Sequence, residues 1–250
     1  MPKSKWFAYA SDNNNSKLNL FCFPYAGGSA SLFVHWKKYF GSEVNVYPVL
    51  YPFREARRSE RMPDTIQQLA MEFVDDNEEL LKSGKFAFFA HCAGASIAYE
   101  VIIYARKKLG IEPEFIIVSG AETPNNSLSA FADMSDAGDD EFLQYLINSH
   151  FVEPDIVNNK GFLTYYIPII REDFKSLFKY SMTKTDKLSC PIYSFCGQDD
   201  KVIEIPKLSE WEDFTSAETI FRQFTGDHYY FTKMTEEICE VIYGICKNYF

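Results

Sequence analysis

Nowhere does this chain run 18 or more apolar residues without interruption, the length needed to cross a bilayer, so no membrane span is expected. Its start, Met1-Pro-Lys-Ser-Lys-Trp6, lacks the apolar h-region of a secretory signal, and residence in the cytoplasm is the expectation. The six cysteines, Cys22, Cys92, Cys190, Cys196, Cys239 and Cys246, include no C-x-x-C spacing, and Cys22 and Cys196 fall inside apolar runs with the look of buried strands. No metal site is expected; five thiols read as structural and one as reactive. Positive charge is scarce as well: 25 Lys and Arg face 35 Asp and Glu, a net charge of −10. Nucleic acid and anionic membranes both need a positive field, so neither is expected as a partner. The one basic stretch, Arg54-Glu-Ala-Arg57-Arg58-Ser-Glu-Arg61, reads at least as well as a solvated loop with internal ion pairs.

What the chain does have is apolar mass. At 250 residues and 46% hydrophobic content it can build one sizeable core, and a soluble monomer of α/β class is expected. Strand-like apolar runs at 18–23, 44–50, 85–89, 115–118, 192–196 and 219–224 alternate with helical patterns at 65–81 and 97–105. That alternation predicts a mostly parallel central sheet covered by helices. The regularity breaks over 122–187, where short helical patterns at 141–147 and 162–180 stand between Asp-, Ser- and Asn-rich turns. A core of 1–121 and 188–250 with a helical cap or lid inserted at 122–187 is the expected organisation, because ligands bind beyond the carboxyl ends of the strands in open α/β sheets. The insertion's aromatics, from Phe131 and Phe142 through Phe174 to Tyr180, either line an apolar channel or pack a helical subdomain.

The most informative run is Phe86-Ala-Phe-Phe-Ala-His-Cys-Ala-Gly-Ala95, an apolar strand that ends in Ala-His-Cys-Ala-Gly and opens into a helix. It resembles the nucleophile elbow, whose G-x-S-x-G pattern places small residues around a nucleophile on a sharp, strained turn. Ala90 and Gly94 are the small residues here and Cys92 the nucleophile. A nucleophile of this kind needs a base and an acid that orients the base, in the order nucleophile, acid, histidine. After Cys92 come 192–196 with Gly197-Gln-Asp-Asp200, then 219–224 with Thr225-Gly-Asp-His228. Of the four histidines, His91 lies in the elbow, His35 in Leu-Phe-Val-His-Trp and His150 in the insertion; only His228 follows a late strand. Asp199 and Asp200 compete as the acid, with Glu204 a third choice. An oxyanion hole also has a source: Phe23-Pro-Tyr-Ala-Gly-Gly-Ser29 is a glycine-rich turn after the first strand, where Ala26 or Tyr25 can supply one N–H and Ala93, the residue after the nucleophile, another. The turn lacks the lysine and spacing of a phosphate-binding G-x-x-x-x-G-K-[ST] loop.

With Phe-Pro-Tyr-Ala-Gly-Gly-Ser-Ala, the elbow, Gly-Gln-Asp-Asp and Gly-Asp-His in order, the chain resembles the type II thioesterases, stand-alone α/β-hydrolases that accompany nonribosomal peptide and polyketide synthases. Arg54 falls where that family has a Pro-Gly-Arg loop, Ile167-Pro-Ile-Ile-Arg-Glu-Asp-Phe174 resembles its cap segment, and Leu208-Ser-Glu-Trp211 matches the tryptophan after its acid loop. The resemblance implies an α/β-hydrolase fold and a triad of Cys92, Asp200 and His228, Asp200 being the fourth residue of the family's Gly-x-x-Asp. It implies acyl thioester substrates on acyl or peptidyl carrier proteins, with phosphopantetheine belonging to the substrate and no cofactor held permanently. This chain departs from the family pattern twice, with Phe53 for the glycine of Pro-Gly-Arg and Cys92 for serine.

The cysteine carries its own chemistry. Helix N-termini and neighbouring imidazoles favour a thiolate over a thiol, so a cysteine in the elbow attacks thioester carbonyls readily. The acyl-enzyme formed is itself a thioester, nearly isoenergetic with the pantetheine thioester, whereas serine would give an oxyester of lower energy. Hydrolysis, transfer to another carrier thiol or an amine, and cyclisation are therefore all open to such a site, and a catalytically silent carrier-binding relative is the non-enzymatic alternative.

Overall fold

The computed structural model describes residues 4–11, 13–126, 134, 136–152 and 154–250. Its six strands are β1 (Leu18–Phe23), β2 (Val44–Pro48), β3 (Phe86–His91), β4 (Ile116–Ser119), β5 (Ile192–Gly197) and β6 (Thr219–Phe224). They form one sheet in the order β2-β1-β3-β4-β5-β6, and every neighbouring pair is parallel. All six carboxyl ends therefore open on the same edge. The parallel sheet covered by helices is the fold the sequence predicts.

Burial on both faces explains why the inner strands β1, β3 and β4 read as continuous apolar runs, whereas the edge strand β6 is largely exposed. Along β3, Phe86, Phe88 and Ala90 belong to one core, shared with α1 (Ile66–Asp76) and α3 (Ala93–Leu109). Ala87 and Phe89 belong to the other, with Trp36, Phe231 and the Ile238 and Ile242 face of α7 (Thr235–Cys246). Phe88 and Phe89 are fully buried, each contributing about 1.5–3 kcal/mol of transfer free energy.

The helix boundaries have local causes. Thr65 caps α1 by accepting the Gln68 N–H at 3.1 Å. The single helical pattern over 65–81 divides at Asn77, which leaves helical geometry (φ −125°) while its side chain donates to the Phe73 carbonyl at 2.7 Å. An asparagine side chain that satisfies a carbonyl at the end of the helix competes with the next turn, and α2 (Glu78–Lys82) starts afresh. Gly110, left-handed at φ 71°, ends α3 behind Arg106, Lys107 and Lys108, cations suited to a helix carboxyl end.

Between β4 and β5 the described residues form α4 (Asp139–Asn148) and α5 (Lys160–Phe178) and contain no strand. Phe174 is the hub of an aromatic cluster, with Phe142, Phe151 and Phe178 at ring separations of 5.9, 5.3 and 5.5 Å. These rings pack the segment against itself, and the buried faces of α4 and α5 are continuous with the core under α1 and α3. Phe131 lies outside the described residues. Among the described residues no helix is long and apolar enough to cross a membrane.

Candidate active site

Four loops at the carboxyl edge of the sheet carry the candidate residues. Because β1 and β3 are neighbours, the Pro24–Ser29 turn lies beside Cys92; β4 separates this pair from the β5 and β6 loops that hold Asp200 and His228.

Cys92 stands at the N-terminus of α3 with φ 51° and ψ −122°, a left-handed conformation that a side chain adopts only where its surroundings impose it. The imposing contacts are visible. The Cys92 N–H donates to the Ser119 carbonyl at 2.8 Å, and a Cβ on Gly94 would stand 2.6 Å from the Phe23 carbonyl oxygen and 2.8 Å from that of Pro24. The first turn of α3 thus rests directly on the backbone leaving β1, which explains the glycine two residues past Cys92. Cys92 is half-buried, and the other five cysteines are buried.

Asp200, rather than Asp199 or Glu204, reaches His228: its Oδ2 lies 2.8 Å from the imidazole Nδ1. Its Oδ1 accepts the Val202 N–H at 2.9 Å, and both Asp200 and His228 are buried. Asp199 and Glu204 are exposed, and Glu204 pairs with Lys207. The acid and histidine loops are zipped together by backbone bonds, Gln198 N–H to the Phe224 carbonyl and Asp199 N–H to the Gly226 carbonyl, each at 2.9 Å. His35 and His150 are exposed and lie in turns elsewhere.

Burial disfavours the imidazolium of His228, but the influence of Cys92 and of the hydrogen-bonded Asp200 carboxylate outweighs it and pushes the pKa up to about 10. Nε2 of His228 has no hydrogen-bond partner among the described residues. The folded-state pKa lies above the free value of 6.5, so the stability this gives is complete below pH 6.5 and disappears as pH rises towards about 10. Urea midpoints of wild type and His228→Gln, measured from pH 6.5 to 9.5, are expected to converge with rising pH; a constant gap would refute the ion pairing.

His91, the residue before Cys92, is fully buried, and burial followed by the charge of His228 drives its pKa well below 6.5. It is therefore neutral and no rival base. Its Nδ1 bonds Ser119 Oγ at 2.9 Å, and Ser119 Oγ bonds the Tyr230 hydroxyl at 2.6 Å. The two imidazoles come within 4.8 Å, centroid to centroid, across Gly120. A Cβ there would stand 2.9 Å from His91 Cε1 and 3.1 Å from His228 Nδ1, and the residue is itself left-handed (φ 52°). Gly120 is what lets the two sides of the site close over β4. Motif order does not reach it; its place directly after the β4 run is the only signal.

The glycine-rich turn divides its amides. Gly28 N–H returns to the Tyr25 carbonyl at 2.8 Å, and Gly27 N–H donates to Asp173 Oδ2 at 2.7 Å. The Tyr25, Ala26 and Ala93 amides have no acceptor among the described residues. Those are the three the sequence singles out as oxyanion donors, and the structure brings them to the edge where Cys92 stands.

The basic stretch is spent internally. Arg54 and Arg57 are buried, Arg54 against Asp173 and Arg57 against Glu60, and Arg61 pairs with Asp64. Phe53 adopts φ 65°, the conformation a glycine would supply, and is held there by Arg58, which donates to its carbonyl at 2.9 Å and stacks 4.4 Å above its ring. Among the described residues no three His, Cys, Asp or Glu side chains cluster as a metal site would.

A parallel sheet with a strained elbow and an acid–histidine pair at its carboxyl edge defines an α/β-hydrolase. The chain belongs to the thioesterase family: the family described as "Thioesterase domain" matches residues 18–246. It is 32% identical to the gramicidin S biosynthesis protein GrsT of Aneurinibacillus migulanus over 98% of this chain and 94% of that protein. It is 30% identical to the thioesterase PikA5 of Streptomyces venezuelae over 91% of this chain and 80% of that one. Among solved structures, the RedJ thioesterase from the prodiginine biosynthetic pathway of Streptomyces coelicolor superposes with a TM-score of 0.84 at 27% identity, covering 93% of this chain and 88% of RedJ.

Proposed function

We propose that this protein is a type II thioesterase of nonribosomal peptide or polyketide synthesis, which releases acyl groups held as phosphopantetheine thioesters on carrier protein domains through an acyl-Cys92 intermediate. What supports the reading is the His228–Asp200 pair at the same sheet edge as Cys92, beside Tyr25, Ala26 and Ala93 amides that have no acceptor among the described residues. The relatives support the setting, since GrsT and RedJ are named for gramicidin S and prodiginine biosynthesis and PikA5 is named a thioesterase. In this reading α4 and α5 cap the carboxyl edge.

Cys92 Sγ, as thiolate beside the His228 imidazolium, attacks the thioester carbonyl carbon, and the carbonyl oxygen gains the negative charge. The Ala93 amide and that of Ala26 or Tyr25 receive this charge, in a site where fixed donors need no reorganisation. The carbon–sulfur bond to pantetheine breaks as the intermediate collapses, and the proton on His228 Nε2 goes to the departing thiolate. The acyl group now sits on Cys92. His228, neutral again, takes a proton from water; the hydroxide adds to the acyl carbon, Cys92 leaves as thiolate, and free acid departs. Asp200 holds Nδ1–H throughout and keeps Nε2 aimed at the reacting atoms.

The test follows intact mass and free acid together after mixing the protein with an acyl-pantetheine thioester. Free acid with a transient adduct on Cys92 is the expected result. An adduct that only a second carrier thiol or an amine discharges would replace hydrolysis with transfer, and neither adduct nor acid would leave a binding protein.

A further inference from the structure

Arg54 and Asp173 make a fully buried ion pair between the loop after β2 and helix α5 of the 122–187 segment, 1% and 4% exposed. Neither side chain takes part in the reaction above, yet both grip the oxyanion turn. Asp173 Oδ2 accepts the Gly27 N–H at 2.7 Å and Arg54 Nη1 at 2.9 Å, while Arg54 Nη2 meets Oδ1. The same Nη1 donates to the Gly28 carbonyl at 2.8 Å, and Nε donates to the Pro52 carbonyl at 3.2 Å. Tyr51, stacked under the guanidinium at 5.1 Å, donates its hydroxyl to the Pro24 carbonyl at 3.1 Å. Helix α5 also leans on the turn sterically, because a Cβ on Gly27 would collide with the Ile170 side chain one turn from Asp173. A cavity of only about 10 Å³ separates Asp173 from Ala26 and Ala93, room for a water and no more.

We propose that Arg54 and Asp173 are positioning residues for the oxyanion hole, so that the seating of α5 sets whether the hole is formed. The inference rests on the acyl-Cys92 reading above. Asp173 engages the Gly27 amide and Arg54 the Gly28 carbonyl; together they lock the turn in the one conformation that leaves the Tyr25 and Ala26 amides free. Arg54 has a second duty. A lone carboxylate behind the turn would repel the charge that develops on the substrate oxygen, and the bidentate guanidinium cancels it. A cap helix that shifts to admit substrate would therefore loosen the oxyanion donors, and one that settles would restore them.

The decisive variant is Arg54→Met/Asp173→Leu, since exchanging a whole buried ion pair for apolar side chains of similar size commonly preserves stability. Two reactions of Cys92 are compared in it. Alkylation by iodoacetamide needs the thiolate but creates no oxyanion, whereas acylation by an acyl-pantetheine thioester needs both. The expected result is a folded protein whose alkylation rate stays within about twofold of wild type while its acylation kcat falls on the order of 100-fold with KM little changed, the loss typical of one oxyanion donor. Acylation at the wild-type rate, or acylation and alkylation falling together, would overturn the proposal. Should the double variant not fold, Arg54→Lys preserves the charge but cannot hold Asp173 and Gly28 at once, and it is read in the same way. A wild-type protein that alkylates at Cys92 but never acylates there would instead refute the proposed function.

Discussion

Cys92→Ala is expected to lower thioester turnover on the order of 10⁶-fold, to the background set by binding and the oxyanion hole alone. The loss is this large because, on the proposed reading, the half-buried Cys92 thiol is the nucleophile, and the other five cysteines are buried. Cys92→Ser is the more informative partner. The hydroxyl keeps the position at the head of α3 and the same base, but the acyl-enzyme becomes an oxyester below the pantetheine thioester in energy. Mass spectrometry is expected to show that free pantetheine thiol discharges the acyl group from wild type and fails to discharge it from Cys92→Ser. Equal discharge from both would show that the nucleophile's identity does not govern the fate of the acyl group. Serine also removes the Cys92 contribution to the raised pKa of His228. A serine hydroxyl needs the neutral imidazole as its base, so the acylation rate of this variant is expected to fall as pH drops.

Asp200→Asn is expected to cost about 10⁴-fold in kcat, the loss seen when a triad imidazole is held in the wrong tautomer. The geometry dictates the direction. Oδ1 of Asp200 is bound to the Val202 N–H at 2.9 Å, so the asparagine oxygen stays on that side and its NH₂ turns to Nδ1 of His228. Two donors cannot face each other, so Nδ1 gives up its hydrogen and Nε2 keeps one, leaving no base beside Cys92. Removal of the carboxylate also takes away part of what stabilises the imidazolium. Asp199→Asn is the control: its side chain is exposed, and kcat is expected to change by less than about twofold. If the two variants behaved alike, the assignment of the acid would be wrong.

The readable and unreadable parts of this site divide by how far apart in sequence their causes lie. Cys92, Asp200 and His228 each directly follow an apolar strand run, and in a parallel sheet every such position falls on one edge; their order could be checked without coordinates. Tyr25, Ala26 and Ala93 follow the same logic. The helix break at Asn77 could not be read, because helical periodicity continues through it and only a side-chain bond to the Phe73 carbonyl decides the matter. Nor could the choice between Asp199 and Asp200 be made from the residues themselves, as adjacent aspartates differ only in which faces the histidine loop.

The alternation of apolar runs and amphipathic helices by itself determined the parallel sheet, since runs buried on both faces leave few other ways to cover themselves. Motif order by itself placed the candidate nucleophile, acid and histidine, Cys92, Asp200 and His228, at that sheet's carboxyl edge. Tertiary structure alone decided what the arginine-rich stretch does. Arg54 reads as a surface cation until α5, 119 residues further on, delivers Asp173 to it in the interior. It also decided that Phe53 could stand at a left-handed position and that Gly120 had to stay bare between two imidazoles. The physical reason is common to all three: burial and close approach are properties of what packs against a residue, and the packing partner lies far away along the chain.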